Sequence, residues 1–344
     1  MKRDHVSIDG YSRETKMILP EMSDKKRSES YGLRLLALVV AVMISVFAGI
    51  AADAGARQKQ KGFPSAEEAV KAFMEAIKSN NDKEVMSIFG PGAKALIYSG
   101  DPVSDKQRRE TFISDYDKKN SLVQEGGKMV LIVGEKDWPF PIPLVKKGEQ
   151  WFYDTKAGKE EILNRRIGEN ELDTIQTMLA IVDAQREYAI KDRDNNALLE
   201  YAQKFRSDPG KKNGLYWETK EEEEPSPLGD LVAKARAAGY SGQKANKERH
   251  VPYHGYYYRM LKAQGKNAPD GAYDYVVNGH MIGGFAVVAF PAKYGNSGVM
   301  TFIVNHDGVV YQKDLGKNTT KIAEAMEKFD PDPTWSKVKE TSMP

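Results

Sequence analysis

The hydrophobic and polar positions divide the chain into stretches of different texture. Residues 35–52 read LLALVVAVMISVFAGIAA without a charge, and Lys25, Lys26, Arg27 and Arg34 stand before them. Every helical face of that run is apolar, and small residues follow it: Ala52-Asp53-Ala54 and Ala54-Gly55-Ala56 both fit a small-x-small cleavage site. A basic region, an apolar core and a small-residue end predict an export signal. The alternative is an uncleaved anchor, for which the basic flank gives the same orientation. Residues 1–34 form a polar N-region, and Met17 or Met22 as the start would give it a more usual length.

Past a polar linker the period becomes helical. Ser65 with Glu68 forms a capping pattern, and Ala69, Phe73, Ala76 and Ile77 follow on one face, widened by Val70 and Met74. A short helix over 83–89 stops at Gly90-Pro91-Gly92, and a third covers 107–118. The period then changes to that of strands. Residues 129–133 read as a strand. Residues 138–145, with Pro139, Pro141 and Pro143, are extended and belong at an edge or bulge, and Trp151 opens the far side of a hairpin tipped by KKGEQ. The prediction over 62–158 is a compact α+β domain.

A second α+β domain is predicted over 160–340. Residues 160–203 read as mostly helix, with Leu172, Ile175, Leu179 and Val182 as its apolar stripe, reinforced by Met178 and Ile181, and a short helix from Asn195. After a loop over 207–226, Ser226-Pro227 opens another helix closed by Gly239. Strands follow over 256–261, 273–277, 284–290, 299–304 and 309–312, with His306-Asp307-Gly308 as a tight turn and a last helix over 319–329. The fold class is therefore α+β: helix plus curved antiparallel sheet, then a long helix plus antiparallel meander.

Composition narrows the function classes. Of 344 residues, 40% are hydrophobic and 29% charged, as in globular proteins, and the formal net charge is +2. That balance supplies no basic field for nucleic acid. The chain has no cysteine, which removes disulfides, lipid attachment, thiol catalysis and cysteine zinc sites together.

The runs PYHGYYYRMLKAQG and GAYDYVVNGHMIGGFAVVAFPAKYGNSGVMTFIVNHDGVVYQKDLG, with SPLGDLVAKARAAGY and KDWPFPIPLVKKGEQWFYDT, resemble the bacterial domain-of-unknown-function family 2950 over about residues 62–340. The resemblance implies export and no established activity. EEAVKAFMEAIKSNNDKEVMSIFG, leading to the strand with Trp151, resembles nuclear-transport-factor-2-like domains, which implies a small-molecule pocket between helix and sheet. The second half resembles a pilin head, with IQTMLAIVDAQREYA as its long helix, but a whole domain separates that helix from the apolar run.

Candidate chemistry is sparse. His250 and His254 have a metal-pair spacing on a helix, yet Pro252 and Gly255 oppose helix, and an extended chain would hold them about 13 Å apart. No metal is expected. His306, Asp307 and Ser297 make a triad only on paper, since triads need spatial assembly. Gly90-Pro91-Gly92-Ala93-Lys94 lacks P-loop spacing, and no helix opens after Gly283-Gly284, so no cofactor is expected. Glu221 to Glu224 read as a solvated loop, and Asp330 and Asp332 as a helix end.

Two constellations remain. Tyr253, His254, Tyr256, Tyr258 and Arg259 are a candidate binding patch, with strand alternation placing His254, Tyr256 and Tyr258 on one face; a plain sheet strand is the other reading. Tyr98, Trp138 and Trp151 line a pocket of the first domain or form its core. The leading expectation is an exported, non-catalytic cell-envelope module, periplasmic or secreted, whose partner is an envelope protein or a small-molecule or glycan ligand. It meets the inner membrane only if the N-terminal segment is uncleaved. The alternatives are a small-molecule binder or hydrolase using the first domain's pocket, and an accessory of a secretion or pilus-like machine.

Overall fold

The computed structural model describes residues 59–193, 195–220, 222–240 and 251–339. The segment read as an export signal and His250 lie outside the described residues, which belong to one compact unit, Gln58–Pro344.

Four helices open the fold: α1 (Ala66–Lys78), α2 (Asp82–Phe89), α3 (Ala93–Ile97) and α4 (Pro102–Lys118). Ser65 Oγ caps α1 by accepting from Glu68 N at 3.1 Å, and Gly90 closes α2 at φ 68°. The helix expected over 107–118 is α4, and it begins at Pro102, five residues earlier. Asp101 caps it, and proline at the first position is pre-set for helix, a signal the weak apolar period concealed.

An antiparallel sheet follows, built from β1 (Asn120–Glu125), β2 (Lys128–Val133), β3 (Trp138–Pro139), β4 (Leu144–Lys147) and β5 (Gln150–Tyr153). Its order is β1-β2-β4-β5, with β3 beside β2. The first strand was not anticipated. It pairs from Asn120↔Val133 to Glu125↔Lys128 across Gly126-Gly127, both at positive φ. Polar residues on both faces hid it, because β1 is almost wholly exposed. The helices and the sheet enclose a core that includes Phe73, Ile88, Phe89, Leu131, Ile142 and Tyr153.

A 35-residue helix, α5 (Thr155–Ala189), joins this half to the next. Its buried positions include Arg166, Asn170, Thr174, Met178, Ile181, Gln185 and Tyr188, a run at helical spacing that is polar over its first turns. Leu172, expected in the stripe, is 57% exposed. The helix ends at Ala189, and the short helix expected from Asn195 is absent. There Asp192 accepts from Asn196 N and Ala197 N, and Asn195 and Ala197 take positive φ, so side-chain-to-backbone bonding displaces helix.

After α6 (Gly229–Ala237) come β6 (Tyr256–Leu261), β7 (Ala263–Gln264), β8 (Tyr273–Asp274), β9 (Val276–Val277), β10 (His280–Met281), β11 (Ala286–Pro291), β12 (Met300–Asn305) and β13 (Tyr311–Asp314). The chain closes with α7 (Thr319–Glu324), β14 (Lys328–Phe329) and β15 (Ser336–Lys337). The main sheet runs β15-β13-β12-β11-β6, antiparallel throughout. Both α5 and α7 pack on β11, all of whose residues are buried. The last helix is shorter than expected. Arg259 Nη2 donates to the Ala323 and Met326 carbonyls at its end, and Lys328–Phe329 then pairs parallel to β7. The strand expected over 273–277 is broken, because Tyr275 turns inward and its hydroxyl donates to Gln264 Oε1.

Candidate functional site: a cavity between helix and sheet

Apolar residues of α1, α2, α4 and the sheet that pack into the first core also floor an open cleft. This cavity of about 830 Å³ is bounded by α4 on one side and the first half of α5 on the other. That volume lies within the range of small-ligand pockets. Its base is aromatic: Phe140 has ring centroids 5.6 Å from Phe73, 5.4 Å from Phe112 and 6.1 Å from Trp138. Ile77, Val85, Phe89, Val133, Ile142 and Ile162 extend the apolar lining.

Helical spacing brings a polar rim to this base. On α4, Asp105, Arg108, Arg109 and Phe112 recur at intervals of three and four; on α5, Ile162, Arg165, Arg166, Glu169 and Asp173 do the same. Arg165 stands over the Trp138 ring, its guanidinium 5.5 Å from the centroid, and pairs with Glu161 at 2.6 Å. Arg109 bonds Asp82 at 2.8 Å and Asn80 at 2.7 Å. Arg108 bonds Glu169 at 2.9 Å and Asn170 at 2.8 Å, but its Nη1 is closed off without an acceptor.

Arg166 is the unusual member, with 6% exposure. It donates to the Ala95 carbonyl at 2.9 Å, the Leu96 carbonyl at 2.5 Å and Asn296 Oδ1 at 2.5 Å, and its Nε has no partner. Burial lowers its pKa to about 10, leaving it protonated at neutral pH. Asp105 accepts from Ser99 N at 2.9 Å. Burial raises its pKa above the ordinary carboxylate value, opposed by that hydrogen bond and by the charges of Arg166 and Arg108.

At the far end the cavity meets the second half of the chain through His254. Tyr253 and Tyr256 bond each other's backbones, N–H to O at 2.9 and 3.1 Å, so His254 and Gly255 are the two central residues of a tight hairpin turn. Both take positive φ, 50° and 73°, as such a turn requires. The Asp101 carboxylate locks this turn to α4. It accepts from Gly255 N at 2.9 Å and Tyr240 Oη at 2.8 Å while capping Val103 N and Ser104 N. Burial, with Asp101 beside it, pushes the Tyr240 hydroxyl far above its ordinary pKa, so it serves as a donor. The turn leaves His254 Nδ1 3.0 Å from Asp173 Oδ2, a pair joined across the cavity wall.

The residues singled out from sequence take varied places. Trp138 lines the cavity, 36% exposed. Tyr98 and Trp151 are not in its lining: Tyr98 donates to Asp82 Oδ2 at 2.8 Å, and Trp151 packs on the core beside Phe63. Of the tyrosine patch, His254 reaches the cavity and Tyr253 packs on its ring at 4.1 Å. Tyr256 is wholly buried and donates to the Met300 carbonyl at 2.9 Å, Tyr258 packs against the core, and Arg259 is spent on carbonyls at the end of α7. Ser297 is buried and bonded to Lys293, and no bond joins it to His306 or Asp307. His280 pairs with Glu200 at 3.1 Å.

Sequence reasoning missed the rim. Its signal was present as paired arginines, 108–109 and 165–166, on helices with few apolar residues next to an apolar sheet. Among the described residues there is no cluster of three or more His, Asp or Glu able to hold a metal ion, and no helix long and apolar enough to cross a membrane.

No curated protein and no solved structure matches the chain. A family model does, over residues 60–338, and the chain belongs to that family, whose description is a protein of unknown function, DUF2950.

Proposed function

We propose that this is an exported protein that binds a small, apolar-bodied ligand in the cavity between α4, α5 and the sheet. The observation that carries the reading is the open cleft between helices and sheet, an aromatic base under a rim of charged side chains. The layout of helices over an antiparallel sheet supports the nuclear-transport-factor-2-like reading of the first half. The aromatic patch weighed for an assembly role is largely occupied within the fold, which weakens that alternative. Export rests on the charge-free run at 35–52, its basic flank and the small residues that follow.

Titration with N-phenyl-1-naphthylamine, a neutral probe whose emission rises in apolar surroundings, tests the binding. The protein is expected to saturate with one probe, and Ile162→Trp, which puts bulk into the cavity, is expected to abolish the signal. Equal signals from both proteins would refute the reading. Export is tested by the N-terminus of protein recovered from the cell envelope or medium, expected after Ala54 or Ala56. Recovery only in the cytoplasm with an intact N-terminus would contradict it.

A second reading, chemistry on the bound ligand, is favoured by the His254–Asp173 pair at the cavity wall. A carboxylate at Nδ1 fixes the imidazole and leaves Nε2 to accept a proton. His254→Gln would then abolish turnover of a ligand while leaving its binding intact; unchanged turnover would remove the histidine from the chemistry.

A further inference from the structure

We propose that the ligand of this cavity ends in a carboxylate, received by Arg108 with Arg166 as a fixed positive charge behind it, and carries a flat apolar body over Trp138 and Phe140. The inference rests on the binding reading above and names the ligand's class.

Arg166 is the main ground. A buried guanidinium normally has a counter-charge. All three of its acceptors are neutral oxygens, and among the described residues no carboxylate lies within ion-pair distance of it. Both arginines line the cavity, and Arg166 Nε and Arg108 Nη1 are buried donors without acceptors. The rim thus has unmet donor capacity and a buried positive charge with no direct ion pair, on which Asp105 acts only through space; an anionic oxygen satisfies both and an amine does not. Charge-assisted guanidinium–carboxylate bonds are the strong ones of their kind.

The carboxylates of the rim do not cancel this demand, because most are already engaged. Glu169 bonds Arg108, Asp173 faces His254, and Asp115 and Glu110 pair with Lys118 and Lys106 on the same helix. Asp105 is bound to Ser99 N. Arg108 keeps 31% side-chain exposure, so its guanidinium is the one of the pair that a ligand can reach. Arg166, held at three points, stays where it is. The flat body follows from the base, where Phe112, Trp138 and Phe140 stand edge to face or tilted, and from Arg165, whose guanidinium faces the Trp138 ring.

The experiment compares 2-naphthoate with 2-naphthamide, equal in shape and different in charge, as displacers of N-phenyl-1-naphthylamine at neutral pH. Wild-type protein is expected to bind the naphthoate at least about tenfold more tightly, the scale of one charged hydrogen bond. Arg108→Gln and, separately, Arg166→Met are expected to bring the ratio near one by weakening the naphthoate more than the amide, with an unchanged circular-dichroism spectrum as the check on folding. Equal affinities in the wild type, or a tighter amide, would overturn the carboxylate and leave the cavity reading standing. Displacement by neither, with no probe binding, would overturn both. A ratio kept in both variants would overturn the assignment to these arginines.

Discussion

Asp101 shows how one side chain sets the site. Its carboxylate caps α4, which carries half of the rim, and in the same bonds fixes the turn that delivers His254. Asp101→Ala leaves two helix N–H groups, Gly255 N and the Tyr240 hydroxyl without their acceptor, and is expected to cost about 3 kcal/mol, read as a lowered denaturant midpoint. Asp105 is expected to show the opposite character. Its folded pKa lies above the ordinary 3.8, so the folded state holds the proton more tightly than the unfolded chain. Its contribution is therefore full below 3.8 and is lost as pH rises through the raised value. Asp105→Asn should flatten the fall of stability with pH across that window; an unchanged pH profile would count against the burial argument. Neither role was legible in the sequence. Asp101-Pro102 carries a capping signal, but its second partnership spans 154 positions, to Gly255.

At the scale of elements, α5 is the part the sequence described least well. Its existence was plain from its period, yet its buried face was not, because Arg166, Asn170 and Thr174 occupy positions an apolar stripe would predict. They are polar because the helix lies against the backbone of both halves. Asn170 donates to the Ser297 carbonyl at 2.7 Å, and Glu171 accepts from Val299 N and Met300 N at 2.9 and 3.0 Å. Two glycines in this helix give opposed predictions. At Gly158 a Cβ would overlap the Pro141 carbonyl and stand 2.7 Å from Ile142 Cγ1, so Gly158→Ala should destabilise by roughly 1–3 kcal/mol. Gly168 has nothing within 4 Å, and Gly168→Ala should stabilise by about 0.5–1 kcal/mol through helix propensity. Paired thermal melts check both signs. Strands with alternating or aromatic sequences, such as β2 and β6, were readable; β1, exposed on both faces, was not, since alternation appears only where one face is buried.

In the whole molecule two hydrophobic cores share one spine. One core fills the first half and a larger one the second, and α5 contributes to both, through Ile162 to the first and Met178, Ile181 and Val182 to the second. Bonds such as Arg166 to Asn296 and Asp101 to Gly255 cross between them. Unfolding is therefore expected to be a single cooperative event. Ile88→Ala, a core truncation in the first half worth about 2–5 kcal/mol, should lower the melting of both halves together. A second-half transition that stays in place, followed by hydrogen exchange, would show the halves to be independent. The same coupling positions the site, since its base belongs to one core and its histidine to a turn beside the other.

The central claim is that the cleft between α4, α5 and the sheet is a ligand site. Co-crystallisation with N-phenyl-1-naphthylamine tests it most directly. The account predicts probe density against Phe112, Trp138 and Phe140, within reach of Arg165 and Arg108. Density confined to other surfaces, with the cavity filled by rearranged side chains, would contradict it.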